Sequence, residues 1–324
     1  MLRIMSYIKH ILLGGLLLIG VASCRKDIEE FRPYVYGPSQ ASLTQLLGQV
    51  PLAGSTTTFS LQNLNHDTTL TTPSGLRLSL TDPEVLFANA NNQPVATSTC
   101  QDLQVEVIEA LDRRSLVGRR LHTATYPDRQ LLETGGAVHL RVTCAGTPLQ
   151  LLPNRTLKVQ IPAVAPLNTM RAFEGILANN VDFLGWQATG EPAYLAEWIH
   201  NNEPVKGYEI YPARLGWVGV GRTLPEATSN FCIELPTAMT DQTAQVVVVF
   251  KGPIVVAAPQ YDPVAKTFCF QAPEGYPVRV VAFSKLDTQY WLGHRETEIG
   301  TNTMLPVDPQ KTDEAALLEF LRNL

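Results

Sequence analysis

From Thr56 onward, apolar and polar residues alternate with a period of two in a series of short stretches. Leu76, Leu78 and Leu80 form one row, Leu103, Val105 and Val107 a second, Val138 to Cys144 a third, and Leu157, Val159 and Ile161 a fourth. That period puts every apolar side chain on one face of an extended chain, so each stretch is expected to be a half-buried strand. The segments between them, Pro73-Ser74-Gly75, Asn89 to Pro94, Gly135-Gly136, Ala145 to Pro148 and Pro153-Asn154, supply turn chemistry. The period fades between 165 and about 205 and returns at Tyr208/Ile210, Phe231/Ile233/Leu235, Phe268/Phe270 and Val278 to Phe283. Val246 to Phe250 is apolar without a break, the pattern of a central strand covered on both faces. Near the end, Thr312 precedes Asp313-Glu314 and then Leu317, Leu318, Leu321 and Leu324. An N-cap threonine, acids in the first turn and an apolar stripe predict a short amphipathic helix docked on the second half.

These elements predict an all-β protein of two antiparallel β-sandwich domains, 56–164 and 206–308. An aromatic-rich irregular linker, 165–205, would join them, and the helix would fall in 309–324. Cys144 takes the inward phase of its strand, while His139 takes the outward phase and is expected to be solvated. Charged residues make up 17% of the 324, below the roughly 25% of an ordinary soluble domain. That disfavours a coiled coil, a disordered chain or a helical bundle. With 25 Lys and Arg against 30 Asp and Glu, the net charge is -5 and no basic cluster occurs, so the footprint of a nucleic-acid binder is missing.

The amino terminus carries an address. Arg3, Lys9 and His10 precede an apolar run from Ile11 to Gly20, too short for the roughly 20 residues of a spanning helix. The run closes on Val21-Ala22-Ser23-Cys24, which resembles a bacterial lipobox. The resemblance implies that residues 1–23 are a signal peptide and that Cys24 becomes the acylated first residue, palmitate among its chains, followed by a tether over 24–55. Each buried CH₂ contributes ~0.8 kcal/mol, so several acyl chains hold the protein to the membrane permanently. Arg25 follows the cysteine where an Asp would signal inner-membrane retention, so the resemblance implies an outer-membrane lipoprotein. Asp27, Glu29 and Glu30 resemble the surface-export signals of Bacteroidota.

Without Cys24, four cysteines remain: Cys100, Cys144, Cys232 and Cys269. In an oxidising compartment they read as two disulfides with three possible connectivities, and proximity favours Cys100–Cys144 and Cys232–Cys269. Zinc is the rival, but no pair has zinc-finger spacing. Thr71 to Gly75, Leu132 to Gly136 and Leu151 through Ile161-Pro162, with Leu215-Gly216-Trp217 and Val280 to Lys285, resemble a recurring domain of Bacteroidota lipoproteins. That domain is itself similar to the β-sandwich shared by zonula-occludens proteins and netrin receptors. The resemblance implies architecture and location and brings no activity; Val218 to Gly221 stands where members often carry a polar segment.

The catalytic inventory is thin. There is no G-x-S-x-G, Walker loop or H-E-x-x-H, and Gly216 to Gly221 lacks dinucleotide spacing and a βαβ context. His66, His122, His139, His200 and His294 include no pair at metal-ligand spacing, and neither a metal nor a cofactor is expected. Glu191 with Glu197, or Asp182, are the nearest candidates for the carboxylate pair of a glycan hydrolase. Asp67-Thr68-Thr69 resembles a Bacteroidota O-glycosylation acceptor. The one compositional anomaly is the crowding of Phe183, Trp186, Tyr194, Trp198, Tyr208, Tyr211 and Trp217. Exposed, Trp186, Trp198, Trp217, Tyr194 and Tyr211 would form a platform for a glycan or a partner protein; buried, the rings would pack the seam between the sandwiches. The expectation is a non-enzymatic, lipid-anchored envelope protein binding a glycan or partner protein, or else a structural component of an outer-membrane assembly.

Overall fold

The computed structural model describes Leu47, residues 56–179 and residues 182–324. The expected signal segment, Cys24 and the rest of the expected tether lie outside the described residues. The first strands are β1 (Thr56–Leu61), β2 (Thr68–Thr71), β3 (Arg77–Leu80), β4 (Phe87–Ala88), β5 (Pro94–Val95) and β6 (Leu103–Ala110). A short helix α1 (Arg113–Gly118) precedes β7 (Leu132–Cys144), β8 (Thr147–Leu151) and β9 (Lys158–Pro162). Then come β10 (Arg171–Ala178), β11 (Asp182–Pro192), β12 (Tyr194–His200), β13 (Glu203–Ile210) and β14 (Gly216–Thr223). The second half holds β15 (Ser229–Glu234), β16 (Ala244–Phe250), β17 (Val256–Ala257), β18 (Gln260–Asp262) and β19 (Thr267–Ala272). It ends with β20 (Pro277–Leu286), β21 (Gln289–Glu298), β22 (Met304–Pro306), β23 (Gln310–Thr312) and helix α2 (Glu314–Arg322).

The strands form four largely antiparallel sheets, with β15–β22 paired in parallel. Sheet I holds β7 at its centre, flanked by β6 and β1 on one side and by β14, β10 and β11 or β8, β4 and β5 on the other. Sheet II runs β12-β13-β9-β3-β2, sheet III runs β18-β19-β15-β22 and sheet IV runs β17-β16-β20-β21-β23. Three apolar clusters separate these layers. Val138, Leu140 and Val142 of sheet I face Leu78, Val159 and Tyr208 of sheet II. Val246, Val248 and Val280 of sheet IV face Phe231, Ile233 and Phe268 of sheet III. The third cluster brings Ala137, Phe173 and Trp186 of sheet I against Val247, Val281 and Phe283 of sheet IV. The alternation in β7 and β16 assigns successive residues to different clusters, which is why Val246 to Phe250 is apolar throughout.

Several expectations need correction. Residues 165–205 are mostly strand: β10, β11 and β12 occupy them, and the period is weak in β11 and β12 because these edge strands have many exposed positions. The boundary at 205/206 also moves, since β13 and β14 complete sheets II and I of the first half. Gly135-Gly136 does not end a strand but lies inside β7, where a Cβ on Gly135 would stand 2.4 Å from Tyr208 Cε2. His139 is half-buried, its ring edge-on to Trp217 at 5.2 Å, because the third cluster covers the face that simple alternation assigns to solvent. Leu47, the one described residue of the expected tether, is buried in that same cluster.

Both expected disulfides are present: Cys100–Cys144 ties the entry to β6 to the end of β7, and Cys232–Cys269 joins directly opposed residues of β15 and β19. Helix α2 is capped by Asp313, which accepts from the Ala316 N–H at 2.7 Å, rather than by Thr312. It buries Leu317 and Leu321 against Leu116, Val117 and Phe283, so it docks at the seam rather than on the second half alone. Arg114 reinforces this by donating to the Arg322 carbonyl at 3.3 Å.

Candidate functional site

The aromatic residues do not assemble into one surface. Trp186 is buried in the seam and donates its indole N–H to the His122 carbonyl at 2.9 Å. Trp217 is half-buried against the same cluster, and Phe183 packs edge-on against Trp186 at 5.1 Å. Trp198 belongs to sheet II, where it is buried and donates to the Gly75 carbonyl at 2.9 Å. The expected platform of tryptophans is therefore not presented to solvent: Trp186 and Trp198 are buried on different sheets, each with its N–H satisfied within the chain. Tyr194 and Tyr211 alone of the five remain exposed, edge-on at 6.4 Å, with the Tyr211 hydroxyl donating to Glu209. That bond pushes the Tyr211 phenol up to about 12. Burial would raise Glu209, but hydrogen bonds from Lys158, Tyr211 and Gln160 outweigh it and hold the carboxyl below its ordinary range.

None of the candidate carboxylates Asp182, Glu191 and Glu197 lines the cleft described below. Asp182 and Glu191 sit near opposite ends of β11, roughly 30 Å apart at about 3.3 Å per residue. Glu197 lies on a different sheet, in register with Lys206. Among the described residues no cluster of His, Cys, Asp and Glu could hold a metal ion.

What the fold does build is an open cleft of about 730 Å³ where the two halves meet, within the size of ordinary small-ligand sites. Its floor is the β7 entry, Glu133 to Gly135; one wall is Tyr208 and Lys206 of β13 with the segment around Leu167, and the other is the turn Gly252–Ile254. Three interactions position these walls. The Thr134 N–H donates to the Ile254 carbonyl at 2.9 Å, linking β7 to the second half. Arg113, at the start of α1, donates to the carbonyls of Lys251, Gly252 and Pro253 at 3.3, 2.7 and 3.0 Å and so clamps the turn. The Leu167 N–H donates to the Tyr208 hydroxyl at 2.7 Å, fixing the segment over the ring.

Polar chemistry at the cleft is sparse. Glu133 is paired with Arg222 at 2.6 Å, and burial pushes the Tyr208 phenol upward. Most of the remaining lining is aliphatic: Leu111, Val164, Leu167, Met170 and Ile254. Val164, at 103% of its reference exposure, stands clear of the protein beside the opening. Glu133 and Lys206 did not stand out in the sequence as binding residues, and Tyr208 did so only as one of the crowded aromatic residues. A further trace was the Gly135-Gly136 pair, read from the sequence as turn chemistry but lying inside β7, where glycine marks close approach by another side chain. No family model, curated protein or solved structure matches this chain.

Proposed function

We propose that this is a non-catalytic, lipid-anchored protein of the outer membrane that binds a partner protein through the cleft between its halves. The fold would be two β-sandwiches, sheets II and I and sheets IV and III, fused face to face by the third cluster, with Cys24 as the acylated anchor. The observation that carries the binding reading is the contrast between the two candidate surfaces. Sugar rings stack on exposed aromatic faces, yet Trp186 and Trp198 are buried, while much of the accessible cleft is lined by aliphatic side chains suited to an inserted apolar side chain. A second reading, a structural component of a larger envelope assembly without a small ligand, is supported by that same use of the tryptophans as packing.

The test is photo-crosslinking in intact cells with a benzoylphenylalanine at Val164 beside the cleft, and at exposed Val264 in the second half as control. A discrete protein adduct from Val164 and none from Val264 is expected, together with no signal on an oligosaccharide array. Array binding without an adduct would replace the protein partner by a glycan, and equal adducts from both positions would favour the assembly reading. The anchor is tested separately, since a Cys24→Ala variant should lose fatty-acid labelling and leave the membrane fraction.

A further inference from the structure

The outer edge of sheet II carries a second surface, one strand beyond the cleft wall formed by Lys206 and Tyr208. Strand β12 pairs with β13 on one side, and among the described residues no strand pairs with its other side. The ladder fixes which backbone groups face outward. The Ala163 N–H donates to the Lys206 carbonyl at 2.9 Å, so Lys206, Tyr208 and Ile210 direct their backbone groups toward β9, while Val205, Gly207 and Glu209 direct theirs toward β12. Those three are opposed by Trp198, Ala196 and Tyr194. The N–H and C=O groups of Leu195, Glu197 and Ile199 therefore point to the open edge.

The same three side chains share one face of the strand. Leu195 is 53% and Ile199 63% exposed, and the exposed Glu197 stands between them. Edge strands are ordinarily protected by Lys, Pro, a bulge or a covering segment. At the far edge of sheet I, β11 is partly covered in this way: Tyr126 donates to the Trp186 carbonyl and Trp186 to the Ala124 carbonyl, each at 2.9 Å. The β12 sequence, Tyr194 to His200, contains neither Lys nor Pro. It combines unpaired backbone, exposed aliphatic side chains and a single carboxylate.

We propose that β12 is a strand-acceptor site, taking an extended segment of a partner protein with apolar residues over Leu195 and Ile199 and a Lys or Arg opposite Glu197. Backbone pairing supplies affinity in this mode of recognition and the alternate side chains supply specificity. The charge selects the occupant. A second copy pairing about a two-fold axis at Glu197 would set two carboxylates against each other, a destabilising arrangement for directly opposed residues. A cation there completes a row with Glu197 and the cross-strand Lys206.

The probe is the peptide acetyl-Thr-Val-Thr-Lys-Thr-Val-Thr-amide, whose two valines and lysine share a face, with the lysine replaced by glutamate as control. Added to the full chain, the lysine peptide should slow deuterium exchange at the amides of Leu195, Glu197 and Ile199 by tenfold or more, with a Kd below about 1 mM. The glutamate peptide should bind at least tenfold more weakly. Glu197→Pro removes an outward N–H without breaking a bond to β13 and should abolish the protection. Glu197→Lys retains that N–H and should reverse the preference to the glutamate peptide, which keeps the test decisive if the proline variant fails to fold. Equal binding of both peptides, protection at other strands, or no binding at 1 mM overturns the proposal. Sedimentation showing a dimer whose β12 amides are already protected would assign the edge to a second copy and overturn the partner assignment.

Discussion

Trp198 donates its indole N–H to the carbonyl of Gly75 at 2.9 Å, which draws the ring across β13 to the β2–β3 turn and lays it over Gly207. A Cβ on Gly207 would stand 2.8 Å from Trp198 Cη2 and 2.1 Å from the Ile161 carbonyl oxygen. Gly207→Ala should lower stability by about 1–3 kcal/mol through overpacking and shift the tryptophan emission to the red. Trp198→Phe should cost about 1–3 kcal/mol by leaving the Gly75 carbonyl without its donor. Urea unfolding of both variants checks the pair.

A second glycine reports on the cleft. The Cβ of a Gly135→Ala variant would meet Tyr208 Cε2 at 2.4 Å and Val220 Cγ2 at 2.8 Å. A loss of about 1–3 kcal/mol is expected, with faster amide exchange at Leu167 as the Tyr208 hydroxyl is displaced. Tyr208→Leu in the same background should recover part of the loss; if it recovers none, the ring contact is not the cause.

His122 makes stability depend on pH. Burial, with a smaller contribution from Arg129, pushes its pKa from 6.5 down to about 4. A depressed histidine is neutral when folded and protonates first in the unfolded chain. Its contribution is therefore complete above pH 6.5 and is lost as the pH falls toward 4, on the order of 3 kcal/mol in all. His122→Phe, which keeps a ring against Phe183, should flatten the stability profile between pH 6.5 and 4. Chemical denaturation at pH 7, 5.5 and 4 would show it, and an unchanged slope would remove His122 as the cause.

The two disulfides should contribute comparably. Their sequence separations are 44 and 37, for which loop-closure entropy gives ~4 kcal/mol each. Replacing both members of either pair by alanine should lower the unfolding free energy by about that amount, and non-reducing peptide mapping should show the other bridge intact.

Arg113 joins the halves, as one guanidinium nitrogen reaches three consecutive carbonyls of the Lys251–Pro253 turn. Arg113→Ala should cost about 1–3 kcal/mol and speed amide exchange at Val255 and Val256 more than in β15 or β19. Uniform loosening of the second half would instead indicate a global effect.

Much of the strand inventory was legible because alternation needs only one covered face. Leu78/Leu80, Leu103 to Val107 and Val159/Ile161 each pack a single cluster, and their rows survive as strands β3, β6 and β9. The unbroken apolar run of β16 was legible for the complementary reason, since both its faces are covered. Residues 165–205 were not, because β11 and β12 are edge strands with many exposed positions, and no one-faced apolar row marks them. The cleft was illegible in a stronger sense, as Glu133, Lys206 and Ile254 are far apart in sequence and each is unremarkable in its own segment.

The chain by itself determined its β character, both cysteine pairings favoured by proximity, and a terminal amphipathic helix. Each rests on local spacing: period two, nearest neighbours in matching phase, and leucines one helical turn apart. Only the tertiary structure decided which rings are buried, which strand edge stays open and where the halves meet. Those outcomes depend on which sheet covers which face, and that is set by β13 and β14 returning to the first half and by the third apolar cluster closing on sheet IV. A tryptophan is equally at home on a surface or in a seam by composition; the packing of distant strands around Trp186 and Trp198 removed them from solvent.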